Sequence, residues 1–295
     1  MAQQISFDAP PLSRHDVDLT GKTVLVTGAN GDLGLECSRQ LLQLGLSKLI
    51  LAVRDEVKGA FARDILLADL EPDANRTIEV WKVEYASYEL IVAAAHRTEQ
   101  LTPRLDIAII NAGVARGSFS TNYLSSILLL ILLIDVFKRA AAKANISQIA
   151  SGRIVLVSSD TAAWTKFSEK NNDPLLPSFD DKTAKWDKFE RYATSKLIGQ
   201  LFLTELAKRV PPSLAIVNCV NPRFCRSAMG ARGLVHAAVK QDEKSHGRYV
   251  ADGKLRPMAP FVYSLEAVPV IQRLWDETMT ELSFAGVHDI LAGLV

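Results

Sequence analysis

A tyrosine and a lysine one helical turn apart, in Tyr192-Ala-Thr-Ser-Lys196, are the pair in this chain best suited to moving a proton. A free tyrosine titrates near pH 10, so it needs help to act near neutrality. Lys196 lies on the same helical face and offers a positive charge that would stabilise the phenolate and pull its pKa down. Upstream stand two serines, Ser158-Ser159, and near the N-terminus a glycine-rich turn, Thr27-Gly-Ala-Asn-Gly-Asp-Leu-Gly34. Glycines at a strand-to-helix turn allow tight geometry and close approach of backbone to phosphate. The helix behind them presents free N–H groups and the positive end of its dipole. Taken alone, the turn could be a plain tight turn, and the Tyr–Lys pair could decorate an amphipathic surface helix. In this order, a domain length apart, they describe a pyrophosphate held at one end and a proton passed to a carbonyl oxygen at the other, the requirements of hydride transfer.

The residues after the second strand bear on which dinucleotide is meant. An acid there would hold a ribose 2′-hydroxyl, whereas an arginine accommodates a 2′-phosphate. Here Arg54 follows Leu51-Ala-Val53, with Lys58 close by, which favours NADP(H) unless Arg54 is an ordinary solvated charge. Asn111-Ala112-Gly113 stands at the carboxyl end of the fourth strand, where such sheets bind ligands. Its small residues would let backbone approach the cofactor, or it is only a strand-ending turn.

Around these residues the chain alternates short β-rich runs with longer helical ones. Strands are expected at Lys22 to Thr27, Lys48 to Val53, Thr77 to Val83, Leu105 to Ile110, Arg153 to Val157 and Leu214 to Cys219. Helices are expected at Leu33 to Leu44, Glu56 to Leu70, Ser87 to Glu99, Asn122 to Lys143, around Tyr192 to Lys196, and at Leu265 to Leu282. A polar stretch from Asp160 to Glu190 interrupts the rhythm. The fold class is α/β, a doubly wound parallel sheet of Rossmann type, with a polar extension over residues 1–20 and one catalytic domain over 21–295. Lys plus Arg number 34 and Asp plus Glu 33, a net charge of +1 that argues against a nucleic-acid partner. Cys37, Cys219 and Cys225 lack metal-ligand spacing, the five histidines are scattered, and no metal site is expected. No signal peptide is evident. The apolar run Ile127 to Ile134 is too short to span a bilayer, which takes about 20 residues, so a buried helix and a cytoplasmic location are expected.

With these motifs in order, the chain resembles the short-chain dehydrogenase/reductase family from about Gly21 to Trp275. The set comprises the glycine turn, Asn111-Ala-Gly113, Asn122, Ser159, Tyr192-x-x-x-Lys196 and Asn221-Pro222. Trp164-Thr-Lys-Phe167, Arg191 to Leu197 and Val217 to Pro222 are similar to fungal members, many from secondary-metabolite pathways. The resemblance implies a catalytic set of Ser159, Tyr192, Lys196 and Asn122. Tyr192 exchanges the proton and Ser159, the second serine of its pair, orients the substrate oxygen. Lys196 also binds the nicotinamide ribose, and Asn122 holds a water linking Lys196 to solvent. It further implies that NADP(H) contacts Gly28, Asn30, Gly31, Leu33, Gly34, Arg54, Glu84, Asn111, Ala112, Gly113, Tyr192, Lys196 and Pro222. A hydrophobic ketone or secondary alcohol as substrate, and a homodimer built on the helices from Asn122 and Arg191, follow from the same resemblance.

Four departures stand against this pattern. Asp32 occupies a position usually held by glycine, placing a carboxylate beside the pyrophosphate site. The interval from Asn111 to Asn122 is short. Arg223 follows Pro222 where glycine is usual, and an arginine cannot replace glycine if the backbone there needs positive φ. Few residues separate Asn221 from Gly233, so the helical lid found there in relatives is reduced. A non-catalytic or non-redox dinucleotide-binding relative is the competing reading.

Overall fold

The computed structural model describes residues 9–101, 104–113, 122–143, 150–180, 187–223 and 227–294. Among these residues eight strands form one sheet in the order β3-β2-β1-β4-β5-β6-β7-β8. They are β1 (Thr23–Thr27), β2 (Lys48–Val53), β3 (Thr77–Lys82), β4 (Ile107–Ile110), β5 (Gly152–Val157), β6 (Ala215–Asn221), β7 (Tyr249–Ala251) and β8 (Lys254–Arg256). All pairings are parallel except β7 with β8, a short hairpin at the edge. The central strands β1, β4 and β6 are buried along their whole length, because helices cover both faces. Strand β8, by contrast, is exposed throughout.

Successive residues of β1 serve opposite cores. Leu25 joins Trp81, Ile91 and Phe202 on one face, while Val24 and Val26 join Leu41, Leu51 and Leu234 on the other. On the first face lie helices α3 (Tyr88–Glu99), α4 (Leu124–Lys143), α5 (Lys188–Leu206) and α7 (Ala267–Glu281). On the second lie α1 (Asp32–Gln43), α2 (Glu56–Ala68) and α6 (Ser227–Val239). A short α8 (Val287–Ala292) closes against α4. Every residue from Ile127 to Ile134 is buried within this single chain, so the apolar run is core. Among the described residues no helix is long and apolar enough to cross a membrane. The polar extension is seated as well: Ala9 and Leu19 are buried, and the Pro10 carbonyl lies 2.8 Å from Nε2 of His236 on α6.

Three features depart from the sequence expectation. Residues 227–239, two glycines among them, form helix α6; Ala231, Leu234 and Val235 sit in the second core, so the segment is scaffold rather than lid. The β7–β8 hairpin carries too few residues to show a period. The stretch after Ser159, polar overall, nonetheless sends Phe167, Leu175, Leu176 and Phe179 into the first core through short 3-10 turns. Isolated apolar anchors of this kind leave no periodic trace.

The glycine turn depends on how closely α1 meets β4. A Cβ on Gly34 would stand 2.3 Å from the Gly28 carbonyl oxygen and 2.9 Å from Asn111 Nδ2, whereas one on Gly31 meets nothing within 4 Å. Gly34→Ala is therefore expected to cost about 1–3 kcal/mol in urea unfolding, with Gly31→Ala within about 0.5 kcal/mol of the parent. Equal effects of the two substitutions would refute this account of the turn.

Candidate active site

The site begins where β1 ends. The Thr27 hydroxyl accepts hydrogen bonds from two successive backbone amides, Asn111 N at 2.9 Å and Ala112 N at 2.8 Å, and Tyr85 donates to it at 3.2 Å. Asn111 Nδ2 donates to the Thr27 carbonyl at 3.0 Å, and Gly28 N to that of Ala52 at 2.8 Å. These bonds tie the ends of β1, β2 and β4 together at the point where strand order reverses and a cleft opens. Tyr85 carries no motif, and Thr27 opens the glycine-rich turn without disclosing this role; only the pairing of β1 with β4 reveals it.

The cleft measures about 500 Å³. All the residues that the resemblance assigned to NADP(H) line it: Gly28, Asn30, Gly31, Leu33, Gly34, Arg54, Glu84, Asn111, Ala112, Gly113, Tyr192, Lys196 and Pro222. Asp32, Asp55 and Lys58 line it too. Gly28 adopts φ of 66° with Ala112 Cα pressed against it, a conformation and a closeness that suit only glycine. At the outer end Arg54 is well exposed, its guanidinium 3.9 Å from Glu84, and Lys58 stands 4.0 Å from Asp55. Both cations are loosely held and screened by solvent. Asp32 opens α1 with φ of 38°, so the aspartate takes up the left-handed backbone that glycine normally serves.

At the inner end, Asp187 caps α5 by accepting from the amides of Phe189 and Glu190, which fixes the helix just before Tyr192. Glu190 then binds the insert through the Thr165 hydroxyl and the amides of Lys166 and Phe167. Ser159 stands near enough to Tyr192 to lower its pKa, its own Oγ accepting from Thr161 N at 3.3 Å, and the Lys196 ammonium lies 5.5 Å from the centre of the tyrosine ring. Lys196 Nζ donates to the Val157 carbonyl at 2.8 Å. The neighbouring Ser158 is engaged elsewhere, its Oγ accepting from Gln200 Nε2 at 3.0 Å. Asn122 faces the same place: a Cβ on Gly113 would lie 3.6 Å from Asn122 Oδ1 and 3.7 Å from Lys196 Nζ. Behind them lies a cavity of about 10 Å³ bordered by Asn122, Ser126, Ser158 and Lys196, roughly the room for one water.

The electrostatics correct one expectation. Burial raises the Tyr192 pKa above its ordinary value, against a smaller lowering by the neighbouring Ser159. Lys196 keeps some surface on the cleft, yet burial of its ammonium pulls it from 10.5 down to about 8. Desolvation of both groups outweighs the attraction that sequence reasoning credited to the lysine. Arg223 corrects another: it does adopt φ of 61°, its amide held by Asn221 Oδ1 at 2.9 Å and its guanidinium by Asp252.

The family profile described as short chain dehydrogenase matches residues 22–168. Short-chain dehydrogenase fogG of Aspergillus ruber is 43% identical across 99% of this chain and 93% of its own length. The chain belongs to the short-chain dehydrogenases/reductases. Short chain dehydrogenase/reductase mfmJ of Annulohypoxylon moriforme is 33% identical over 97% of the chain and 91% of its own length. The alignment with the Aspergillus relative runs to 333 positions against a chain of 295, so that relative carries internal segments absent here. A metagenomic short-chain oxidoreductase in complex with NADP shares the fold at TM-score 0.57 and 22% identity, covering 81% of this chain and 98% of its own. Salutaridine reductase from Papaver somniferum does so at TM-score 0.61 and 20% identity, covering 77% of this chain and 99% of its own.

The Lys196 shift fixes the sign of a stability effect. Below pH 8 both folded and unfolded lysine are protonated and the fold bears the full desolvation cost. Between 8 and 10.5 the unfolded chain binds more protons, so stability rises with pH, and above 10.5 the cost is gone. One pKa unit is about 1.4 kcal/mol; after discounting for cleft water and for the lost Val157 bond, Lys196→Met should gain about 1–2 kcal/mol at neutral pH. Urea unfolding at a series of pH values checks this. A neutral or destabilised variant, or a gain that does not shrink above pH 8, would contradict it.

Proposed function

We propose that this short-chain dehydrogenase/reductase uses NADP(H) to interconvert a ketone and a secondary alcohol on a hydrophobic small molecule, within fungal secondary-metabolite biosynthesis. The observation that carries the reading is the meeting of Ser159, Tyr192 and Lys196 at the inner end of a cleft whose outer end bears Arg54 and Lys58.

The residues present fit the cofactor. Gly31 leaves open space beside the N-terminus of α1, a cradle for pyrophosphate, while Gly28 and Gly34 are closed by their neighbours. Arg54 and Lys58 would take the 2′-phosphate, Asn111 to Gly113 the adenosine side, and Lys196 the nicotinamide ribose. When bound, the nicotinamide supplies or accepts the hydride. Tyr192, kept protonated by burial, is the acid that delivers a proton to the carbonyl oxygen during reduction. Ser159 orients that oxygen and steadies the charge developing on it. A protonated Lys196 stabilises the phenolate left behind, and a water in the small cavity beside Asn122 would return the proton from solvent. The apolar substrate class is supported by Ala162, Trp164 and Met258 beyond Ser159. Its place in secondary metabolism is supported by the fungal relatives.

Titration of the purified protein with NADPH and NADH tests the first half. NADPH should bind at least tenfold tighter, and Arg54→Ala should remove roughly tenfold of that preference. Equal affinity for the two would defeat the assignment of Arg54, and no binding of either would favour a scaffold protein. Tyr192→Phe tests the second half: it should lower kcat/KM for ketone reduction by about 10²–10⁴-fold with NADPH affinity retained. In the parent, kcat/KM should fall as pH rises through about 8, where Lys196 loses its proton. Activity surviving in Tyr192→Phe would remove this mechanism.

A further inference from the structure

A second recess, of about 240 Å³, opens beside Ser159 and shares no lining residue with the cofactor cleft. Its polar wall is Ser159, Asp160, Gln200 and Tyr249, and its apolar wall includes Trp164 and Met258. A whole-ligand site commonly occupies about 300–1,000 Å³, so this one has room for one end of a substrate whose other end sits at Ser159.

The polar wall is built so that one acceptor is left available. Gln200 is used at both ends, donating to Ser158 Oγ at 3.0 Å and accepting from Ala259 N at 2.8 Å. Tyr249 is buried, and its hydroxyl donates to Asp160 Oδ1 at 2.7 Å. Burial and the neighbouring carboxylate together raise its pKa, so it remains a donor fixed on Asp160. Arg223 is committed to Asp252, with Nε 2.8 Å from Oδ1 and a second bond from Nη2 to Oδ2; its Nη1 is only 3.9 Å from Asp160 Oδ2. Asp252 is 4% exposed, whereas the Asp160 side chain is 43% exposed. Among the described residues two carboxylates share one guanidinium here, leaving a net negative charge, and a carboxylate has about four acceptor sites of which few are taken. Trp164 is exposed beside them and stacks on Phe189 with ring centres 6.2 Å apart at 16°, a flat apolar rim at the mouth.

We propose that this recess is a specificity subsite in which Asp160 accepts a hydrogen bond from a hydroxyl on the far end of a planar, hydrophobic substrate and repels a carboxylate there. The inference rests on the oxidoreductase reading for the identity of Ser159 as the reacting end. It adds the substrate class, a hydroxylated and uncharged aromatic or cyclic ketone.

Three probes differing only in the remote group test it: para-hydroxyacetophenone, para-methoxyacetophenone and para-acetylbenzoate. Binding of each to the NADPH-loaded protein is read by calorimetry, and turnover by NADPH oxidation, in the parent and in Asp160→Asn. Ratios of variant to parent are compared within each probe, so that ring electronics cancel. The parent should bind the hydroxyl probe at least tenfold more tightly than the carboxylate, with the methoxyl between. Asp160→Asn should narrow that gap to threefold or less, chiefly by improving the carboxylate, with NADPH affinity within twofold. The proposal is overturned if the parent binds the carboxylate as well as the hydroxyl, if it binds none of the three, or if the substitution changes all three equally. Should Asp160→Asn fail to fold, the order of binding in the parent decides. Intact binding order without NADPH oxidation would count against the oxidoreductase reading and leave the subsite standing.

Discussion

A threonine hydroxyl accepting two backbone amides from another strand is the contact on which the rest of this site hangs. Thr27 ends β1, and the chain leaves β1 for one face of the sheet while it leaves β4 for the other. Such a reversal opens a gap at the strand ends, and the exposed amides of Asn111 and Ala112 would otherwise need water. By closing them onto Thr27, the fold holds Asn111 to Gly113 against the glycine turn at a fixed distance. Gly34 and Gly28 are glycine because the two strand ends come that close. The cleft is thus a consequence of topology, and its walls are set by backbone before any side chain contributes.

Into this rigid frame the protein puts two groups that resist burial. Tyr192 and Lys196 stand within cation–π distance, yet each is shifted toward its neutral form. A proton resting on the tyrosine is the right starting state for an acid, and a lysine near neutrality is easily tipped by its surroundings. On the proposed reading, the desolvation that costs stability is the same property that would make these side chains useful, a common pairing at sites where chemistry occurs.

Two positions show how the chain keeps the geometry without the glycines. Left-handed backbone costs an L-residue about 1–2 kcal/mol. Arg223 offsets this with its paired bonds to the nearly buried Asp252, and in doing so ties the end of β6 to the β7–β8 hairpin. Asp32 is placed in the first turn of α1, where a negative charge is favoured by the helix dipole. The compensation at Arg223 cannot be read from the immediate sequence, because its partner lies 29 residues away.

Much of this was legible in the residues themselves. The alternation of apolar runs fixed the α/β class, and β2 emerged with its limits unchanged, because continuous apolar strands between helices have few other ways to be buried. Motif order brought together the residues assigned to the cofactor, since strand ends in a doubly wound sheet all point to one edge. What the sequence could not supply were effects of distance and burial. The Thr27 latch, the water-sized space beside Asn122, the direction of the Tyr192 shift and the recess beneath Asp160 all arise from segments remote in the chain. Helix α6 and the β7–β8 hairpin likewise depended on packing: their sequences carry glycines or too few residues for a period, and contact with α1 and β6 determined their form. Local composition settles which elements form, but the pKa values and shape of a site belong to neighbours that only the folded chain assembles.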